Sequence, residues 1–395
     1  MELSHRIKRL SPSPTLALDT KAKALAKKGI KVFNFAVGEP DFPTPECIVN
    51  KAIESLKKGR TKYGPSGGGE ELRTAIAQKL QNENHMTFAP DQIVVGIGAK
   101  EILLHVFLSI LNEGDEVILP TPYWVSYSEQ IKVAGGQTVA LPLAGREDSQ
   151  PFTLESLEKA ASKRVTAIVL TSPNNPGGYV LREPFLKELG AYLCKKNWWI
   201  ISDEIYEYLA FDAPHKSLLN LCPELKERFI LINGLSKGFA MTGWRVGYGA
   251  GPKDVMKLVK MLQGHSSTCL PGFIEDAATL AIKEGVAMMR PDIERLKARR
   301  DLAVSCLKKI PDLCFSAPEG AFYIFMDVRK ILDRSKVLPK KDTLALGEWL
   351  IDQHQIALVP GEAFGAPGFL RLSYATGEDA IRGGIERLQG ALASV

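Results

Sequence analysis

The chain has 395 residues, with 50 Lys and Arg against 45 Asp and Glu, a formal charge of +5. An apolar share of 45% with 24% charged residues is that of a globular protein, and 34 Gly with 24 Pro exclude collagen and low-complexity disorder. So thin a surplus of charge argues against nucleic acid or a membrane surface as partner, and no run of apolar residues is long enough to span a bilayer. The start, Met1-Glu2-Leu3-Ser4-His5-Arg6, lacks the apolar centre of a secretory signal. Six cysteines with no CxxC spacing read as buried free thiols in a reducing, cytoplasmic compartment rather than as disulfides or a zinc site. The length is enough for a large catalytic unit with a satellite domain.

Along the chain, a polar opening with Ser-Pro repeats leads into an amphipathic stretch over 16–28 that stops at Gly29. Residues 32–37 read as a short strand closed by Gly38-Glu39-Pro40-Asp41. From there β-branched apolar runs at 93–95, 116–119, 138–141, 165–170, 198–202, 229–232 and 246–249 alternate with helical periodicity, as over 99–111, 184–196 and 254–262. A run as uniform as Val165-Thr166-Ala167-Ile168-Val169-Leu170 predicts strands covered on both faces, hence an α/β unit with a mostly parallel seven-stranded sheet. After Gly285 the character changes to a long charged helix over 286–310, then short strands at 322–326, 356–359 and 368–372. This predicts an arm and part of a small domain in 1–44, a large domain in 45–285 and a small α+β domain in 286–395, with no internal repeat.

Three strand ends carry chemistry. The run 165–170 enters Thr171-Ser172-Pro173-Asn174-Asn175-Pro176-Gly177-Gly178, the run 198–202 enters Asp203-Glu204-Ile205-Tyr206, and the run 229–232 enters Asn233-Gly234-Leu235-Ser236-Lys237. Ligands of open α/β sheets sit at such carboxyl ends. A lysine there among small and apolar neighbours is partly desolvated, which leaves free amine for a Schiff base. Each feature also has a plain reading: Lys237 and Arg245 as an edge lysine and an ion-pairing arginine, Asp203 as a helix cap, Asn-Pro as a turn. Asn, Asp with Tyr, and Lys closing three consecutive strands make coincidence hard to sustain.

In this order, Ser-Pro-Asn-Asn-Pro-x-Gly, Ser-Asp-Glu-Ile-Tyr and Ser-Lys-x-x-x-Met-Thr-Gly-Trp-Arg resemble the class I, fold-type I pyridoxal-phosphate aminotransferases, the bacterial aspartate aminotransferases most of all. The likeness runs from Gly38-Glu39-Pro40-Asp41-Phe42 to Arg371-Leu372-Ser373-Tyr374-Ala375. It implies pyridoxal 5'-phosphate as cofactor, with Lys237 as Schiff-base residue and proton shuttle, Asp203 on the pyridinium nitrogen, Tyr206 and Asn175 on the ring oxygen, and Trp124 stacked on the ring. The phosphate would be held by Ala99 and Lys100 at a helix N-terminus, by Ser236 and Arg245, and by Tyr63 of a neighbouring subunit, which implies a homodimer with shared sites. Gly64–Gly69 keeps a plain alternative as a flexible loop, and Trp124 a lesser one as a core residue of an amphipathic helix.

Arg371 would grip the substrate α-carboxylate, with Gly38, Asn175 and Trp124 completing the substrate site; as Gly38 and Arg371 lie far apart in sequence, both termini must build the small domain. Lys100 is the candidate for a distal carboxylate, with a phosphate or surface role equally open, and residues 12–16 are expected over the entrance. Gly177, where the family's turn usually has Thr, should loosen that turn, and Gly234, where some relatives have Ser, removes one phosphate hydroxyl. The implied reaction moves an amino group from an L-amino acid, aspartate foremost, to 2-oxoglutarate by ping-pong half-reactions. Aromatic amino acid or prephenate transamination, a β-lyase on the same scaffold, and a regulator that keeps the fold are the competing readings.

Overall fold

The computed structural model describes residues 2–12, 14–143, 151–212 and 214–395; Ser13, within the stretch expected over the entrance, lies outside them. Its strands are β1 (Phe33–Asn34), β2 (Ile93–Ile97), β3 (Glu116–Pro120), β4 (Gln137–Leu141), β5 (Val165–Thr171), β6 (Trp199–Asp203), β7 (Phe229–Gly234), β8 (Val246–Ala250), β9 (Tyr323–Asp327), β10 (Ile356–Ala357), β11 (Val359–Pro360) and β12 (Phe369–Ser373). Seven form one sheet in the order β2-β8-β7-β6-β5-β3-β4. Only β8 runs antiparallel to its neighbours. The remaining pairs are parallel, as the uniform apolar runs predict.

Both faces of this sheet are covered, and strand alternation divides the side chains between them. Val169, Ile201, Ile230 and Ile232 join Ile102, Val106, Met256 and Val259 from the helices Ala99–Ile110 and Lys253–His265. Ile168, Leu170, Ile200 and Leu231 join a second cluster with Leu186, Leu189, Ala277 and Ala278 from the helices Glu183–Leu193 and Gly272–Glu284. A residue at every position of a central strand therefore leaves water, which is why the period-2 pattern vanishes from β5 and β7.

A smaller antiparallel sheet, β11-β12-β9, and the parallel pair β1–β10 lie among the remaining elements. Here the expected boundaries fail in instructive ways. The strand expected over 32–37 is reduced to Phe33–Asn34, because the Asn34 Oδ1 accepts from the Ala36 amide and turns the chain. Phe35 then bonds Ala357 with its N–H and Ser373 with its carbonyl, bridging two strands rather than extending a ladder. The single strand expected over 356–359 is two short ones, β10 on β1 and β11 on β12. The long helix starts at Arg290 after a 3₁₀ turn, since Pro291 has no N–H to give and belongs in a first turn. All six cysteines are unpaired, but only Cys222 is buried; Cys47 and Cys194 are exposed. Among the described residues no cluster suits a metal ion and no helix is long and apolar enough to cross a membrane.

Candidate functional site

The carboxyl ends of β5, β6 and β7 open onto a cleft of about 460 Å³. It is lined by Gly38, Ala99, Lys100, Trp124, Asn175, Asp203, Tyr206, Ser236, Lys237, Arg245 and Arg371, every residue the sequence singled out except Tyr63. Tyr63 is 89% exposed and borders a separate depression with Arg60, Glu275 and Asp276.

At the floor, the Lys237 Nζ lies 2.5 Å from the Gly38 carbonyl oxygen. Burial is the main force on its titration, aided by Arg371, Arg245 and Lys100 and opposed by Glu39, and it brings the amine down to about 8. About a tenth of it is therefore unprotonated at pH 7. Asp203, at the end of β6, is moved the other way, to about 6, by burial and by Glu204. The Tyr127 hydroxyl and the Ile205 N–H donate to its carboxylate and, with Lys237, hold it from rising further, so it is largely ionised at pH 7.

Between these two groups a chain of hydrogen bonds runs to the small sheet. The buried Arg371 on β12 donates through Nη1 to the Asn175 Oδ1 (3.1 Å) and through Nη2 to the Ala36 carbonyl (2.7 Å). Its Nε, also buried, has no acceptor among the described residues. The Asn175 Nδ2 donates to the Tyr206 hydroxyl at 3.3 Å, and the Tyr206 hydroxyl meets that of Tyr323 at 2.9 Å.

The opposite wall is a cradle for an anion. Ala99 and Lys100 line the cleft at the N-terminus of the helix Ala99–Ile110, and their amides precede the first bonded one, Glu101, which donates to the Gly98 carbonyl at 3.1 Å. Gly98, at φ +81°, lets the Arg245 guanidinium approach so closely that a Cβ there would lie 2.5 Å from Nη2. A Cβ on Gly247 would lie 2.0 Å from the Ala99 nitrogen, so two glycines keep strand, loop and helix pressed together. Arg245 itself has φ +59°, a conformation that costs a non-glycine residue and is found where side-chain aim matters. Lys100 places Nζ 4.9 Å from the Trp124 ring centre, and Trp124 belongs to the turn before the helix Ser126–Val133. Arg245 also donates through Nη1 to the Thr242 carbonyl at 2.9 Å. A cradle of amides and a guanidinium at one end, a buried carboxylate at the other, and an amine and hydroxyls between them fit a phosphorylated pyridine aldehyde.

One expectation needs amendment, a second gains a steric reason, and three residues join the site. The turn at Gly177 is not loose: the Asn174 Oδ1 accepts from the Gly177 N–H at 2.7 Å, and the Tyr179 ring fills the place of a side chain, with Cδ1 2.7 Å from a Cβ built on Gly177. At Gly234 a Cβ would meet the Val246 carbonyl oxygen at 2.7 Å, so this backbone has no room for the serine of other relatives. Finally, Tyr127, Thr171 and Tyr323 also line the cleft and were not singled out. Tyr323 had a signal: Arg371 pairs in register with Phe325, and Tyr323, two residues away on β9, shares that face.

The family profile "Aminotransferase class I and II" matches residues 30–388. A protein of Aquifex aeolicus named "Probable aspartate/prephenate aminotransferase" is 43% identical over 100% of this chain and 99% of its own. The aspartate aminotransferase of Geobacillus stearothermophilus is 40% identical over 98% of each. Among solved structures, the aspartate aminotransferase of Thermus thermophilus with maleate superposes with a TM-score of 0.91 at 36% identity, covering 99% of both chains. With the fold, the cleft and these relatives in agreement, the chain belongs to the class I and II aminotransferases.

Proposed function

We propose that the protein transfers the amino group of an L-amino acid, aspartate foremost, to 2-oxoglutarate with pyridoxal 5'-phosphate as cofactor. The observation that carries this reading is the meeting, in one cleft, of a lysine titrating near 8, a buried carboxylate and a buried arginine with an unsatisfied Nε. When bound, the cofactor supplies an aldehyde for the Lys237 amine and a ring that takes up the electron pair left at the substrate Cα. Lys237 moves the proton at that Cα, for which an amine titrating near neutrality is well matched. Asp203, largely ionised, holds the proton of the pyridine nitrogen. Tyr206 and Asn175 donate to the ring oxygen, and Trp124 covers the ring face. The Ala99 and Lys100 amides, Ser236 and Arg245 hold the phosphate. Arg371 takes the α-carboxylate in a fork, supported by Gly38, Asn175 and Trp124, and Lys100 takes a distal carboxylate.

On this reading Arg371 and Gly38 belong to a small domain built from 1–44 and 286–395, which closes on the large domain 45–285 and excludes water. Pairing of β1 with β10 supports that grouping. The outward Tyr63 serves the cleft of a second copy in a homodimer. The unpaired thiols suit a reducing, cytoplasmic compartment. Prephenate is a second acceptor to consider, because a relative at 43% identity carries it in its name. Turnover of a panel of amino donors with 2-oxoglutarate, and of aspartate with prephenate, tests the reading. Aspartate and 2-oxoglutarate should lead, and Lys237→Ala should abolish turnover. Release of ammonia and pyruvate from the donor, with no glutamate formed from 2-oxoglutarate, would overturn it in favour of a lyase.

A further inference from the structure

We infer that Tyr323 is a positioning residue whose hydroxyl fixes the direction in which Tyr206 gives its proton. The inference rests on the cofactor reading above and concerns a side chain to which that reading gives no part. Arg371 can only donate, so its bond to Asn175 settles the amide: Oδ1 faces the guanidinium, and Nδ2 is left to donate to the Tyr206 oxygen at 3.3 Å. One acceptor position of Tyr206 is thus taken. Burial holds both the Tyr206 and Tyr323 phenols above their ordinary range, so both keep their protons, and one of these lies in the 2.9 Å bond between them.

Among the described residues the Tyr323 hydroxyl has no other hydrogen-bond partner, and a Cβ built on Gly38 would lie 3.2 Å from it, so glycine keeps that side open. An anionic oxygen in the cleft requires Tyr206 as donor. Tyr323 must then donate to Tyr206, which accepts twice and has its single proton free for the ligand. A hydroxyl that accepts two bonds is a stronger donor for the third. The Tyr323 ring has a second contact: the Arg371 guanidinium lies 4.5 Å from its centre, a cation–π placement on a buried platform. One side chain of β9 therefore steadies both the arginine expected to grip substrate and the phenol expected to grip the cofactor oxygen. The charged and titratable groups facing this hydroxyl pair are Arg371 on β12, Asp203 on β6, Glu39 beyond β1 and Lys237, whose Nζ lies 6.0 Å from the Tyr206 ring centre.

The test is Tyr323→Phe in the protein loaded with pyridoxal phosphate, read by the pH midpoint of its visible absorption band. A donor aimed at an anionic oxygen disfavours protonation there, so its weakening should raise the midpoint by roughly half a unit to one unit. The KM for aspartate should stay within about twofold, because the ring under Arg371 remains, whereas Tyr323→Leu should raise it several-fold. In a Tyr206→Phe background, Tyr323→Phe should produce no further shift. An unmoved or lowered midpoint, or a full shift without Tyr206, overturns the assignment. A wild-type protein that takes up no cofactor and shows no visible band would instead refute the underlying function, so the two failures are distinct.

Discussion

The glycine at position 98 offers a sharp test of the anion cradle. In Gly98→Ala the new Cβ would lie 2.5 Å from the Arg245 Nη2, 3.0 Å from its Cζ and 3.3 Å from its Nη1. These atoms end a flexible side chain, so the fold survives by swinging the guanidinium aside, with about 1–2 kcal/mol of strain at φ +81°. The binding site does not survive so well, since a displaced fork loses its charged hydrogen bonds to phosphate, worth about 1.5–3 kcal/mol. At 1.4 kcal/mol per factor of ten, pyridoxal phosphate should bind roughly 10- to 150-fold more weakly. Fluorescence titration of the cofactor-free protein measures this, with pyridoxal, which has no phosphate, as the internal control. Affinity unchanged within about twofold, or an equal loss for pyridoxal, would refute the cradle. Gly247→Ala makes the contrast: its Cβ would strike backbone at Ala99, and the expected outcome is loss of soluble protein.

Two further substitutions probe specificity and the Asn175 turn. Lys100→Ala should raise KM for aspartate by roughly tenfold or more while changing that of a neutral amino acid little, since only the diacid has a carboxylate for this cation; equal losses for both donors would remove Lys100 from the role. Gly177→Thr should destabilise the fold by about 1–3 kcal/mol through collision with Tyr179, and combination with Tyr179→Ala should recover much of that, as seen by urea denaturation. Additive losses would show that the ring and the missing side chain do not compete for the same space.

The sequence exposes the large sheet because its strands are covered on both faces, and such strands announce themselves as unbroken apolar runs. It exposes Asn175, Asp203 and Lys237 for a related reason, as these are the first reactive groups after three such runs. The short strands of the small domain are legible as runs, but their ends and partners are not. β1, β10 and β11 are two residues each, and the pairing of β1 with β10 joins residues over 300 apart, as Phe33 with Ile356. Tyr127 is hidden similarly, since nothing near it in the chain signals a bond to Asp203, 76 residues on. Gly177 shows the limit of reading one position alone: the missing side chain suggests a loose turn until the neighbouring Tyr179 is seen in its place.

The cleft gathers Lys100, Lys237, Arg245 and Arg371 against Asp19, Glu39 and Asp203, and the cations around Lys237 have a measurable consequence. The three other cations help burial bring Lys237 from 10.5 to about 8. A phosphate anion seated between the Ala99 and Lys100 amides and Arg245 would offset that field and let Lys237 hold its proton more tightly, raising its midpoint. Linkage fixes the converse: the protein must bind phosphate more strongly when Lys237 is protonated, so affinity falls as pH climbs through 8. Each unit of upward shift corresponds to roughly a tenfold difference in phosphate affinity between the two protonation states. The rate at which pyridoxal and borohydride label Lys237 in the cofactor-free protein follows the neutral amine. It should rise with pH about a midpoint near 8, and inorganic phosphate should move that midpoint upward. A midpoint at the ordinary value near 10.5 would refute the desolvated lysine. A midpoint near 8 that phosphate leaves unmoved would mean that the cradle and the amine are electrically independent, contrary to the geometry that puts Arg245 and Lys100 within reach of both.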